Sequence, residues 1–408
     1  MPGPVDPDPL DPYCSKTVGL KFSGVDLTFE LSHGLFSSFA IDAGTRLLLK
    51  TVAQRIDLDA IDGCLDLGCG VGVLGICVAR RAPRSSVVLQ DRDALAVAIA
   101  GRNAKANACD GVSLDCGLGF WHLGDRVFDL ILSNIPAKAG APVLRHLLGT
   151  MANRLTPEGR AAIVVVAPLA PFALETVNQA ACVVDHQEST PSHTVLHFHR
   201  DVNQTPIPVA ARSEDRAPYV RATTRFSHGP ISYTLETVYG LREFDTLDYA
   251  TTLAFDLLGA LHARGRILVW NPGQGHMPVY LCSSQGNEIA EIHLAGVDFL
   301  ELVATNRNLG AVDVMPSTSA ALPCEAYLEG CCPEGSMDLI CASPHPVPRA
   351  GWQAGLSSAA ARLLRPGGCL LVSGSSTEIQ RYVQQQRGAQ VIGSRKLYGH
   401  RAVLLRKL

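Results

Sequence analysis

Short continuous apolar runs alternate along this chain with longer segments whose apolar residues recur at helical spacing. Val87-Val88-Leu89 is followed by Leu95 to Asn107, with Ala and Leu at helical intervals, and then by Leu130-Ile131-Leu132. Runs that are apolar at successive positions imply strands buried on both faces. With helices between them, they predict a parallel sheet covered on two sides, a doubly wound α/β fold.

The pattern then begins again. Gly34-Leu35 and the step Asp42-Ala43-Gly44-Thr45 are echoed by Gly240-Leu241 and Asp248-Tyr249-Ala250-Thr251, each leading into a helix. Cys64-Leu65-Asp66-Leu67-Gly68-Cys69-Gly70 is echoed by Ile267-Leu268-Val269-Trp270-Asn271-Pro272-Gly273. Phe128-Asp129-Leu130-Ile131 pairs with Met337-Asp338-Leu339-Ile340, and Thr156-Pro157-Glu158-Gly159 with Arg365-Pro366-Gly367-Gly368. Four matched elements in one order indicate duplication. The expected fold is therefore two tandem Rossmann-like doubly wound domains, over 14–199 and 227–408. The proline-bearing segment 200–226 between them reads as a linker.

The first half holds the clearest chemistry. In Leu65-Asp66-Leu67-Gly68-Cys69-Gly70-Val71-Gly72 a buried strand enters a turn of three alternate glycines and then a helix. Such a turn lets backbone approach a ligand closely, with helix N–H groups at its rim. Asp66 precedes the first glycine, where a carboxylate can hold the amino group of a cationic ligand. Asp91 ends the next strand, where α/β folds bind ribose hydroxyls. Asp129-Leu130-Ile131-Leu132-Ser133-Asn134-Ile135-Pro136 should end at the same sheet edge, bringing Asn134 and the Ile135 carbonyl to the cleft.

Together these residues resemble class I methyltransferases dependent on S-adenosylmethionine (AdoMet). The order over Gly34 to Gly159 is most similar to the rRNA guanine-N2 methyltransferases, a family that includes tandem duplicated domains. The resemblance implies that Asp66, Gly68, Gly70 and Gly72 line the methionine end of AdoMet and that Asp91 takes the ribose. Asp115 becomes a candidate for the adenine amino group, although a surface strand-end Asp explains it nearly as well. Phe36, Ser37, Asp42 and Thr45 would close the cleft from the N-terminal side. Asn134, Ile135 and Pro136 would form the catalytic loop, with ribosomal RNA as the implied partner.

Two departures stand out. The family's Asn-Pro-Pro and following aromatic are here Asn134-Ile135-Pro136-Ala137, with Lys138 next. The missing ring ordinarily contributes ~1–3 kcal/mol to holding a base. The active copy in the family is also the C-terminal one, whereas here the second half reads as degenerate. Asn271 is expected at the place of Asp66, Asp298 as a mimic of Asp91, and Ser343-Pro344-His345-Pro346 as a poor copy of the catalytic loop. His345 is expected to be solvated, without a partner.

At 408 residues the chain has room for two or three domains of roughly 150 each. Its net charge of −3 shows no overall basic excess, so contact with RNA would need a local patch. The 13 cysteines include no CxxC pair, and Cys331-Cys332 has no neighbour at zinc spacing, so no metal is expected. The apolar stretch from Ala161 to Leu174 is broken by Pro168 and Pro171 and is too short for a bilayer. With no secretory signal at the start, the expectation is a cytoplasmic protein without membrane contact. Two other functions remain open on the sequence: methylation of a small molecule or protein, and a non-catalytic binding or assembly factor.

Overall fold

The structure, a computed structural model, describes residues 8–36, 38–201, 203 and 217–408. Ser37 and most of the expected linker lie outside the described residues. The chain forms two compact units, one of Tyr13–Tyr219 and one containing Val220–Leu408.

In the N-terminal unit β1 (Cys14–Phe22) and β2 (Val25–Ser32) make an antiparallel hairpin. There follow α1 (Ala43–Arg55), β3 (Gly63–Leu67), α2 (Val73–Arg81), β4 (Ser86–Asp91) and α3 (Ala94–Ala106). The unit closes with β5 (Ser113–Cys116), β6 (Phe128–Asn134), α4 (Ala141–Met151), β7 (Leu155–Val166), α5 (Ala170–Gln179), β8 (Cys182–Ser189) and β9 (His193–Arg200). The sheet order is β5-β4-β3-β6-β7-β9-β8. Strands β3 to β7 pair in parallel, and β9 runs antiparallel to both β7 and β8. Strand order reverses beside β3, so the crevice at the carboxyl ends of β3, β4 and β6 is where such a sheet takes a ligand.

The C-terminal unit repeats this plan. Its elements are β10 (Val220–His228), β11 (Ile231–Val238), α6 (Tyr249–Leu258), β12 (Arg264–Trp270), α7 (His276–Ser283), β13 (Glu288–Gly296) and α8 (Phe299–Gly310). They continue with β14 (Thr318–Ala321), β15 (Met337–Ala342), α9 (Trp352–Leu363), β16 (Leu364–Ser375), α10 (Ser376–Gln385), β17 (Ala389–Leu397) and β18 (His400–Lys407). The sheet order is β14-β13-β12-β15-β16-β18-β17, strand for strand that of the first unit. The fold is thus two tandem Rossmann-like α/β domains. Strand β10 starts inside the segment expected as linker: its residues pair with β11 in a hairpin matching β1-β2.

A device not visible in the sequence pattern fixes each hairpin to its domain. Buried Asn103 on α3 accepts from the Glu30 N–H (2.7 Å) and donates to the carbonyls of Glu30 (3.0 Å) and Val71 (2.9 Å). Asn308 on α8 does the same with Glu236 N–H (2.8 Å), Glu236 O (3.0 Å) and Gln274 O (2.8 Å). Each Glu also pairs with the Arg preceding the clamp, Arg102 or Arg307. The repeated Asp of the Asp-Leu-Ile motif is structural too, since Asp129 accepts from the N–H of Asp62 and Gly63, and Asp338 from that of Arg266.

Removing either clamp leaves buried backbone groups unpaired. Asn103→Ala and Asn308→Ala should each cost about 2–4 kcal/mol and expose a different strand. Hydrogen exchange should lose protection on β2 in the first variant and on β11 in the second. Unchanged protection in both would show that the hairpins are held otherwise.

Candidate active site

The site begins with the turn between β3 and α2. Gly68, Gly70 and Gly72 have φ of 72°, 55° and 87°, a region side chains rarely enter. A Cβ on Gly68 or Gly70 would meet open space, whereas one on Gly72 would stand 2.8 Å from Ile76 and 3.2 Å from Ala100. Gly68 and Gly70 therefore form an open wall. Gly72, expected to line the cofactor, instead lets α2 lie close to α3.

Two carboxylates hold this wall from behind. Asp66 is fully buried; one oxygen accepts from the Gly75 N–H at 2.7 Å and the other, Oδ1, has no hydrogen-bond partner. Burial pushes its pKa up to about 7, the Gly75 bond opposes this, and nearby Asp91 adds to it. Asp91 accepts from Gly70 N–H at 2.9 Å and Asp93 N–H at 3.0 Å. Burial raises its pKa as well, against those two bonds. A carboxylate has about four acceptor positions, so Asp91 retains capacity for two hydroxyls. On the next strand, Asp115 Oδ2 is a second buried acceptor without a partner; burial raises its pKa, opposed by His122 and Arg126. Unpaired buried acceptors beside an open glycine wall fit a ligand that brings its own donors.

At the end of β6 the Asn134 amide nitrogen donates to Asp42 Oδ2 at 3.1 Å and Thr45 Oγ1 at 3.0 Å. The reverse amide orientation would set its oxygen against the Asp42 carboxylate, so the network fixes which end is which. The amide oxygen is left as the acceptor. Asp42 also caps α1 through the Thr45 N–H at 3.1 Å. Asp42 and Thr45, expected as cofactor residues, thus hold Asn134. Sequence reasoning missed His193 on β9, whose Nε2 lies 4.0 Å from Asp42 Oδ2. A Cβ on Gly44 would be 2.7 Å from that imidazole, so the glycine in the Asp42-Ala43-Gly44-Thr45 step makes room for it. The Ile135 side chain is buried and its N–H bonds Val164 O at 2.9 Å. Only its carbonyl is left for a substrate; Pro136, Ala137 and Lys138 are exposed. Phe36 is exposed on the loop before α1.

The second unit keeps the turn and loses the acceptors. By strand register Val269, not Asn271, stands at the position of Asp66: Cys64 and Leu65 face Leu130 and Ile131, as Ile267 and Leu268 face Leu339 and Ile340. Asn271 corresponds to Gly68, and its φ of 53° reproduces the left-handed turn. The same register puts Gly296 at Asp91, Ala320 at Asp115 and Ser343 at Asn134. Asp298 corresponds instead to Asp93, both being helix N-caps. The Asn271 side chain accepts from Val297 N–H at 3.0 Å and donates to Ser343 O at 3.1 Å, filling the cleft. Glu301 Oε2 takes the Gly273 N–H at 3.2 Å, the counterpart of the bond Asp91 makes to Gly70. His345, expected without a partner, lies 3.9 Å from Glu301.

Among the described residues no group of three or more His, Cys, Asp or Glu is placed to hold a metal ion. No described helix is long and apolar enough to cross a membrane.

Comparisons with known proteins include a family model that falls within the first unit. The methyltransferase small domain family matches residues 26–189. Ribosomal RNA small subunit methyltransferase C of Actinobacillus succinogenes is 41% identical over 114 residues, 28% of this chain and 32% of that protein. The protein of that name in Mannheimia succiniciproducens is 37% identical over 135 residues, 32% of this chain and 39% of the relative. The chain thus spans between 32% and 39% of the length of these curated relatives. Among solved structures, a T. thermophilus 16S rRNA guanine-N2 methyltransferase in complex with AdoMet and guanosine has a similar fold, with TM-score 0.67 at 20% identity. That likeness covers 96% of this chain and 98% of the other, so it includes both units. Over residues 26–189, within the N-terminal unit, the chain matches the model of the methyltransferase small domain family.

Proposed function

We propose that this protein is an AdoMet-dependent methyltransferase that methylates the exocyclic amine of a guanine in ribosomal RNA, using one site in its N-terminal unit. The observation that carries the reading is the Asn134 carboxamide, whose nitrogen is engaged by Asp42 and Thr45 and whose oxygen is free to accept. The relatives named as ribosomal RNA methyltransferases and the similar fold that holds AdoMet and guanosine support the substrate.

AdoMet, when bound, supplies an electrophilic methyl group on sulfonium sulfur. Asp91 would accept the ribose hydroxyls, Asp66 Oδ1 would face the cationic methionine end, and Asp115 Oδ2 would accept from the adenine amine. The Asn134 oxygen and the Ile135 carbonyl would take the two N–H bonds of the substrate amine. That holds its lone pair in line for attack and absorbs the positive charge that develops on nitrogen. The product ammonium can shed its proton to water, so no dedicated base is demanded. Asp42 is a positioning residue in this scheme. A second reading, transfer to a small molecule or protein amine, is favoured by the net charge of −3 and by the absence of an aromatic after Pro136.

Labelled AdoMet incubated with ribosomal subunits, free rRNA and cell extract separates the two. The expected label is N2-methylguanosine in rRNA; label confined to protein or small molecules would contradict the proposal.

Asn134→Ala should lower kcat by roughly a hundredfold or more and leave AdoMet affinity nearly intact. Asp42→Ala should lower kcat in the same direction by releasing the carboxamide. Parental turnover in Asn134→Ala would remove the assignment.

Asp66 makes binding depend on pH. Its folded pKa of about 7 lies above the ordinary carboxylate value of 3.8. The free protein therefore loses stability as pH rises from about 4 to about 7. A cationic ligand favours the carboxylate, so AdoMet should displace a proton near pH 6.5 and bind more tightly as pH rises through 7. Calorimetry in buffers of different ionisation enthalpy should show that release, and Asp66→Asn should abolish it. Buffer-independent heats in the parent would mean that Asp66 does not sense the ligand.

A further inference from the structure

The loop between β2 and α1 carries Phe39, 71% exposed, its ring tilted against His33 at 5.2 Å between centroids. An aromatic ring left this open gains little from packing in its own domain. Its position ties it to the site: Asp42, three residues on, is hydrogen-bonded to Asn134. Three residues span at most about 10 Å, so the Phe39 backbone lies within that reach of Asp42. After Asn134 itself, Ile135 is buried, and exposed Pro136, Ala137 and Lys138 offer no aromatic face. Arg46, whose Nε donates to the Ile41 carbonyl at 3.3 Å, and Lys138 are both exposed, adding positive charge suited to a polyanion.

We propose that Phe39 is the stacking surface for the target base, supplying from the loop before α1 the aromatic face that the segment after Asn134 lacks. The inference rests on the guanine reading above and deepens it: the substrate is a purine unstacked from its neighbours and presented singly. One ring face is then covered by Phe39 while the exocyclic amine points to Asn134. Stacking tolerates different bases because each has a π face, so Phe39 would set substrate affinity, and Asn134 the group that reacts.

Phe39→Trp turns the position into a reporter, since Trp121, Trp270 and Trp352 are all buried. With S-adenosylhomocysteine present, guanosine 5′-monophosphate should quench the new emission saturably, and ribose 5-phosphate should not. On rRNA, Phe39→Ala should raise KM roughly five- to a hundredfold with AdoMet affinity unchanged, and Phe39→Tyr should restore it. Unquenched emission together with a parental KM in Phe39→Ala would overturn the inference. Quenching by the nucleotide in a protein that methylates no RNA would support the stacking surface and remove the RNA reading instead.

Discussion

The hydrogen bonds from two buried carboxylates to the turn after β3 are the constraint on which the proposed site depends. Asp66 grips the Gly75 N–H and Asp91 the Gly70 N–H, fixing a backbone that only glycine adopts cheaply at three alternate positions. That geometry forces Asp66 into complete burial, raises its pKa, and leaves Oδ1 without a partner. A buried acceptor without a donor costs free energy. A ligand that supplies the donor would offset that cost.

The second unit shows the same skeleton without that arrangement. Its Asn308 clamp, Asp298 cap and left-handed Gly273 and Gly275 stand at the places of Asn103, Asp93, Gly70 and Gly72 in the first unit. Within the cleft, Val269, Gly296, Ala320 and Ser343 replace the acceptors, and Asn271 and Glu301 bond to backbone of their own unit. The clamping Asn and the capping Asp are common to both units, and the cleft acceptors are not.

Much of this was legible in the sequence because continuous apolar strands and a glycine turn are local signals. The doubly wound fold, the duplication and the places of Asp91 and Asn134 follow from them. The misreadings have physical causes. Asn271 was matched to Asp66 by counting back from the glycines, but Asn tolerates the left-handed region and had replaced the first of them. Asp298 was matched to Asp91 because the capping Asp93 stands only two residues from it. His193 and the Asn103 clamp act across long stretches of chain, and no periodicity announces such contacts. Strand β10 reads as linker because Pro206, Pro208, Pro218 and mixed charges mark the segment it begins in, and because Arg221, Thr223 and Arg225 leave it the polar face of a hairpin exposed on one side.

The central claim is that one unit binds the cofactor and the other has lost the means. Calorimetric titration of the whole chain with AdoMet tests it most directly. The account predicts a single site per chain, weakened about tenfold or more by Asp91→Ala in a variant that still folds, and indifferent to Val269→Ala. Two equivalent sites, or a single site untouched by Asp91→Ala, would contradict it.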